Sequence, residues 1–198
     1  MRFWIESRHL NGVVVLGTEV FKDERGFFTE SFRADYFTTL GLPSVFPQDS
    51  HSRSNKGVVR GLHFQYDPPI GKVVRVTVGS AFLVAVDIRK GSPTLGQWVG
   101  VDASSENRKQ FWVPGGFAFG FCATSDIAEV QYKCTNIYNP QGESGIRWND
   151  PEINIQWPEI DKVVSQKDQK AQSLEDWLNS PTSEFFRYEA PVEGPLAG

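Results

Sequence analysis

The 198-residue sequence predicts an all-β, antiparallel body, a sandwich or a barrel, and three observations carry that reading. From Gly12 to about Cys134 the chain is a succession of short β-rich runs separated by Gly, Pro, Asn, Asp and Ser. Those runs follow one another too closely to leave room for βαβ crossovers. Helical spacing is confined to one short segment near residue 34 and to the tail beyond Pro158.

Val13-Val14-Val15-Leu16 opens the β-rich region, and Asp23-Glu24-Arg25-Gly26 is a turn leading into Phe27-Phe28. A short helix is expected over Ala34 to Leu40, stopped by Gly41 and then Pro43. Val58 to Gln65 alternates as a strand, and Asp67-Pro68-Pro69 breaks it. Val73 to Val78, Phe82 to Ile88 and Ala128 to Cys134 are further strands, with turns at Gly91-Ser92-Pro93 and Pro114-Gly115-Gly116. Ser165 to Asn179 carries Leu174, Trp177 and Leu178 at helical spacing behind a Ser165 cap, so a helix packed on the β body is expected there. Residues 1–180 then form a single domain. Beyond Pro181 the Pro and Gly content predicts a loose terminus over 181–198.

Composition is that of a soluble protein: 39% hydrophobic and 22% charged residues, with no apolar run near the ~20 residues a membrane span needs. Glu6, Arg8 and His9 interrupt the start before a signal peptide could form, so a cytoplasmic protein is expected. Cys122 and Cys134 lack the paired spacing of a zinc site and read as buried thiols. From Glu159 onward there are eight acids and four bases, a balance of −4 that equals the whole chain's −4 and leaves residues 1–158 neutral. No basic excess exists for nucleic acid, although a few arginines could hold one phosphate ligand.

Only His9, His51 and His63 are present, without the close spacing that puts two imidazoles on one ion, which disfavours metal chemistry. Alternation places His63 on one face of its strand with Val59, Gly61 and Gln65, as a structural hydrogen-bonder or as a base. Arg60 falls on the opposite face unless the strand is bulged. Tyr132 shares an inward face with Ala128, Val130 and Cys134, which suits a core tyrosine and an acid equally. Lys72 projects with Val74 and Val76 into apolar company, a placement that calls for a task or for escape to water at the strand end. Arg25, Phe27, Phe28 and Glu30 could grip a phosphate and stack on a base, or simply form a charged turn beside two core rings.

Taken together, Phe21-Lys-Asp-Glu-Arg-Gly-Phe-Phe-Thr-Glu30, Val59-Arg-Gly-Leu-His-Phe-Gln65, Val86-Asp-Ile-Arg-Lys-Gly-Ser-Pro-Thr94, Val113-Pro-Gly-Gly-Phe-Ala118, Tyr132-Lys-Cys-Thr-Asn-Ile-Tyr-Asn-Pro140 and Ile146-Arg-Trp-Asn-Asp-Pro151 resemble the dTDP-4-dehydrorhamnose 3,5-epimerase family from Phe21 to about Leu174. The resemblance implies a cupin-type double-stranded β-helix, or jelly-roll, barrel. It also implies a homodimer, a dTDP-sugar substrate and no cofactor. By position it makes His63 the base, with Asp168 orienting it, Tyr132 the acid, and Lys72 the group that stabilises an enolate oxygen. Arg25, Arg60 and Lys167 would meet the nucleotide and phosphates, Glu30 and Gln48 the base or sugar, Tyr138 the pyrimidine face, Glu143 would complete the pocket, and Asp49, Ser50 and Phe119 would also lie among the substrate-binding residues. A 4-ketone acidifies the hydrogens at both C3 and C5, so one base and one acid on opposite faces suffice for inversion.

Two positions depart from the family's pattern. Phe119 stands in Gly116-Phe117-Ala118-Phe119-Gly120-Phe121 where the family commonly has His, and Ser50 follows Gln48-Asp49 where it commonly has Asn. Both bear on how the sugar is held and on how many centres are inverted. An epimerase acting at C3 or C5 alone, a metal-dependent cupin enzyme and a non-catalytic sugar-nucleotide binder are the competing readings.

Overall fold

A computed structural model describes residues 2–189. Its strands, in chain order, are β1 (Phe3–His9), β2 (Val13–Thr18), β3 (Phe21–Asp23), β4 (Gly26–Phe28), β5 (Gln48–Asn55), β6 (Val58–Gln65), β7 (Lys72–Val78), β8 (Ser80–Asp87), β9 (Trp98–Ser104), β10 (Gln110–Val113), β11 (Phe117–Ala123), β12 (Ile127–Cys134), β13 (Glu143–Gly145) and β14 (Val163–Val164). Three short helices accompany them, α1 (Ala34–Thr39), α2 (Gln166–Gln169) and α3 (Leu174–Asn179).

Two sheets face each other as a jelly roll, the architecture implied by the resemblance. One runs β1-β2-β10-β7-β12-β5, and the other β13-β6-β11-β8-β9 with β14 beside β6. Every pairing between these strands is antiparallel except β14 with β6. Alternation along the strands places Val15, Val74, Val76, Leu83, Phe111 and Val130 between the sheets, where they form the central core. At about 25 cal/mol per Å² of apolar surface removed from water, this burial is the main drive to close the two sheets.

Each sheet also has a covered outer face. α1 lays Phe37 on the first sheet against Phe3, Val14, Leu16 and Trp112, and it ends at Gly41, whose φ of +74° suits glycine. On the second sheet, Leu62, Phe64, Val84 and Val86 receive Leu174, Trp177 and Phe186 from the tail.

The tail differs from the single helix expected over Ser165 to Asn179. It is helical only in α2 and α3, because Gln172 leaves the helix to pair with Ile146. Ser173 then starts a new helix: its hydroxyl accepts from the Asp176 N–H, and the Asp176 carboxylate accepts from the Ser173 N–H. Nor does the loose terminus begin at 181. Pro181–Phe186 forms a 3-10 turn whose Phe186 is buried, and the remainder of that expectation, 190–198, lies outside the described residues. Cys122 and Cys134 are free and buried. Among the described residues no helix is long and apolar enough to cross a membrane.

Candidate active site

The site begins with an irregularity in β6. Phe119 pairs with His63 while Phe121 pairs with Arg60, so two steps on β11 span three on β6. This bulge is what brings Arg60 and His63 to the same cavity despite their odd spacing. Gly61 sits at the bulge with a φ of +129°, and a side chain there would place its Cβ 2.6 Å from Gly120 Cα and 2.8 Å from the Phe119 carbonyl oxygen. Only glycine meets both demands.

The cavity between the sheets has a volume of about 520 Å³, with His63, Arg60 and Phe119 from the second sheet, Lys72 and Tyr132 from the first, and Lys167 and Asp168 from the tail. Asp168 is 4% exposed and its Oδ1 lies 2.6 Å from His63 Nε2. Its Oδ2 accepts from the Gly61 N–H at 3.3 Å. Burial works to raise the Asp168 pKa, but the His63 hydrogen bond and charge, with smaller help from Gly61 and Ser165, hold it below the usual carboxylate value. Asp168 is therefore a fixed anion that accepts the Nε2 hydrogen and leaves Nδ1 as the basic nitrogen.

Tyr132 stands on the opposite wall, flanked in register by Val74 and Ser50. Burial, more than any charge near it, pushes its phenol up, so the hydroxyl keeps its proton. The Lys72 ammonium lies 5.8 Å from the ring centres of both Phe119 and Tyr132. Desolvation pulls its pKa down from the ordinary lysine value, with Cys134 and Glu143 opposing. A cation beside two rings, with no carboxylate bonded to it among the described residues, is placed to meet negative charge that develops on a bound molecule.

A second lobe of about 300 Å³ shares His63, Lys72 and Tyr132 and extends to Gln48, Ser50, Tyr138 and Glu143. At its rim the Tyr138 hydroxyl donates to Glu143 at 3.0 Å, and the Lys167 ammonium lies 2.7 Å from the same oxygen. Burial opposes ionisation of Glu143, yet Lys167 and Tyr138 keep its pKa low, and Glu143 in turn raises both of theirs.

An imidazole, a phenol and an ammonium thus line one cavity, and the comparisons with known proteins place the chain in a family. The family model described as dTDP-4-dehydrorhamnose 3,5-epimerase matches residues 7–176. The chain belongs to this family. A dTDP-4-dehydrorhamnose 3,5-epimerase of Shigella flexneri is 52% identical over 166 residues, 83% of this chain and 92% of that protein. A crystal structure of the Legionella pneumophila dTDP-6-deoxy-D-glucose-3,5-epimerase in complex with dTDP-4-keto-L-rhamnose matches with a TM-score of 0.89 and 45% identity, covering 96% of this chain and 100% of that one. More distant is a dTDP-4-dehydrorhamnose 3-epimerase of Streptomyces niveus, 38% identical over 82% of this chain and 79% of that protein.

Within this epimerase family member, three residues assigned by resemblance do not line either lobe. Arg25 lies on the exposed β3–β4 hairpin and bonds to Asp23. Glu30 follows that hairpin, with one oxygen 3.8 Å from Arg33. Asp49 points away because it alternates with Gln48 and Ser50, and it pairs with Lys133 at 2.9 Å. The cavity also includes residues that motif reading left out. Phe121 and Ser165 line the first lobe and Cys134 the second. Gln65, also in the second lobe, accepts from the Asn139 N–H and donates to the Ile137 carbonyl, which fixes the loop carrying Tyr138. Alternation with Phe119 and with Tyr132 was a usable signal for Phe121 and Cys134. Among the described residues no three His, Cys, Asp or Glu side chains converge as metal ligands would.

Proposed function

We propose that this protein is a cofactor-free epimerase that inverts C3 and C5 of a dTDP-4-keto-6-deoxyhexose. The observation that carries the reading is that His63, from the second sheet, and Tyr132, from the first, line one cavity together with Lys72, whose ammonium lies 5.8 Å from the Tyr132 ring centre. Nδ1 of His63 takes the proton next to the ketone, and the electron pair moves onto the carbonyl oxygen, where Lys72 meets the negative charge. Tyr132 gives its hydroxyl proton to the same carbon from the other face. The imidazolium then loses a proton to solvent and the phenolate gains one, so the cycle closes without a redox step.

Arg60 and Lys167 hold the diphosphate and Tyr138 stacks on the pyrimidine, with Gln48 and Glu143 beside it. The dTDP-sugar is supported by the ligand of the Legionella pneumophila relative and by the length of the match to Shigella flexneri. A homodimer is part of this reading. Phe27 and Phe28 are 57% and 63% exposed on the hairpin that carries Arg25, and a second copy covering them would bring Arg25 toward the partner's cavity. Two free, buried cysteines accord with a cytoplasmic setting.

A narrower reading, inversion at one centre, is favoured by Phe119, which replaces a polar imidazole beside Lys72 with a hydrocarbon ring, and by the likeness to a 3-epimerase. Proton NMR with dTDP-4-keto-6-deoxyglucose in deuterated water tests both. Exchange at C3 and C5 with formation of the inverted sugar supports the double epimerase, exchange and inversion at one supports the narrower reading, and no exchange at either overturns the catalytic assignment.

A further inference from the structure

The two cations assigned to the diphosphate are held in different ways. Lys167 is paired with the Glu143 carboxylate at 2.7 Å, whereas Arg60 is tied to two neutral oxygens of β5. Its Nε donates to the Ser54 hydroxyl at 3.0 Å and its Nη2 to the Arg53 carbonyl at 3.3 Å. β5 is the last strand of the first sheet and β6 belongs to the second, so both bonds cross from one sheet to the other. They use the Nε–H and one Nη2–H, which lie along one edge of the planar guanidinium. The other edge, Nη1 with the second Nη2 hydrogen, is not spent on them and has the fork geometry that takes two phosphate oxygens together. Arg60 lines the cavity, while Ser54 is buried and lines neither lobe.

We propose that Ser54 is a positioning residue for the diphosphate: without touching the ligand, it holds Arg60 so that the free edge of the guanidinium meets two phosphate oxygens at once. The proposal rests on the reading of Arg60 as a diphosphate ligand and names what orients it. The bulge at Gly61 turns the Arg60 backbone toward the cavity, but the side chain is exposed. An exposed arginine samples many rotamers, and a ligand that has to fix one of them binds more weakly. Arg53 contributes only its backbone carbonyl, which any residue there supplies. Ser54 is therefore the side chain on which the orientation depends, and its removal leaves the Nε–H to water and the fork free to swing.

The test compares two ligands by calorimetric titration: dTDP, and thymidine, which has the same base and sugar but no phosphate. The proteins are wild type, Ser54→Ala, Ser54→Thr, Arg60→Ala, Arg60→Lys and the Ser54→Ala, Arg60→Ala double variant. Arg60→Ala is expected to weaken dTDP about tenfold or more, the scale of a hydrogen bond to a charged group, and to leave thymidine unchanged. Ser54→Ala should weaken dTDP about fivefold, again without moving thymidine, and Ser54→Thr, which keeps the hydroxyl, should restore it. In the double variant the Ser54 change should add nothing to the loss from Arg60→Ala, because Ser54 acts through Arg60. Arg60→Lys keeps the charge but has no second edge, so its dTDP affinity should fall toward that of Arg60→Ala. A lysine variant that binds dTDP as wild type does overturns the proposal, even where Ser54→Ala fails to fold. So does a Ser54→Ala protein that weakens both ligands alike, or one whose effect persists in the Arg60→Ala background. An Arg60→Ala protein that binds dTDP as wild type does overturns the diphosphate reading of Arg60 first, and this inference with it.

Discussion

Asp168 and His63 lie 105 residues apart in the chain, yet carboxylate and imidazole approach to 2.6 Å. The contact depends on the tail crossing β6: Val163 and Val164 pair with Val58 and Val59, and the Ser165 hydroxyl accepts from the Asp168 N–H at 3.1 Å, starting the turn that aims the carboxylate. Replacing Asp168 by Asn puts an amide where His63 needs an acceptor and removes the charge that stabilises the imidazolium. kcat should fall roughly 10²-fold, the lower end of the range for a lost general base, and His63→Ala should fall further within 10²- to 10⁴-fold. Steady-state kinetics of the two variants checks the order, and a larger loss in Asp168→Asn than in His63→Ala would contradict the roles.

The alkaline side of the pH profile should belong to Lys72. Its pKa is lowered by burial, and the enolate needs the charged form, so activity is lost as pH rises through a value below the ordinary lysine pKa of about 10.4. Tyr132, raised by burial, stays protonated over that range. Lys72→Arg, which cannot lose its charge, should move the limb to higher pH even if the maximum rate drops. A limb that stays in place would assign it to another group.

Binding of dTDP should depend on Lys167 through a charge that is already partly engaged. The ammonium lies 2.7 Å from Glu143 in the free protein and must turn to reach a phosphate. Lys167→Ala is expected to weaken dTDP binding about tenfold or more, as the loss of one hydrogen bond to a charged group does. Calorimetric titration at two salt concentrations should show the wild type losing affinity with salt and the variant losing less.

Stability should fall in acid. Asp87 is fully buried and accepts from Arg89, Ser92 and Thr94. Burial raises its pKa, but those bonds together bring it below the usual value. A carboxyl depressed in the folded state contributes stability above its unfolded pKa and loses it as pH falls through the folded value, so the melting temperature should drop below about pH 4. Asp87→Ala leaves the Arg89 guanidinium without its carboxylate partner and should cost about 3 kcal/mol, lowering Tm by about 6–12 °C for a chain of this size. Its melting curve should also lose part of the acid sensitivity.

Gly61→Ala tests the bulge. The new Cβ would meet Gly120 and the Phe119 carbonyl at distances that no side chain tolerates, so β6 must shift and take Arg60 and His63 with it. Activity should fall by more than thermal stability alone explains, read as kcat/KM measured well below the melting point.

Local chemistry made much of this protein legible in its sequence. Strand runs such as Val73 to Val78 and Ala128 to Cys134 alternate in a way that only a two-faced sheet satisfies, so the antiparallel body and the inward aim of Lys72 and Tyr132 could be read from period alone. Gly41 ended a helix where a positive φ was needed. Other features required the tertiary structure. The face of Arg60 turned on one extra residue in β6, which register with β11 decides. The tail was read as one helix because Leu174, Trp177 and Leu178 have helical spacing, whereas Gln172 is drawn out of it by Ile146, a residue distant in sequence. Motif likeness grouped Arg25, Glu30 and Asp49 with the site, but strand alternation and an outlying hairpin keep them from the cavity of their own chain.

The sequence by itself determined which side chains are able to carry proton chemistry and which strands hold them, because side-chain type and period-two alternation are local properties. Only the tertiary structure decided that Asp168 reaches His63, that the Lys72 ammonium lies 5.8 Å from the rings of both Phe119 and Tyr132, and that Ser50 stands opposite Tyr132. Each of these is a contact between separate strands or between strand and tail, and its geometry is set by register, bulge and packing, which no single segment encodes.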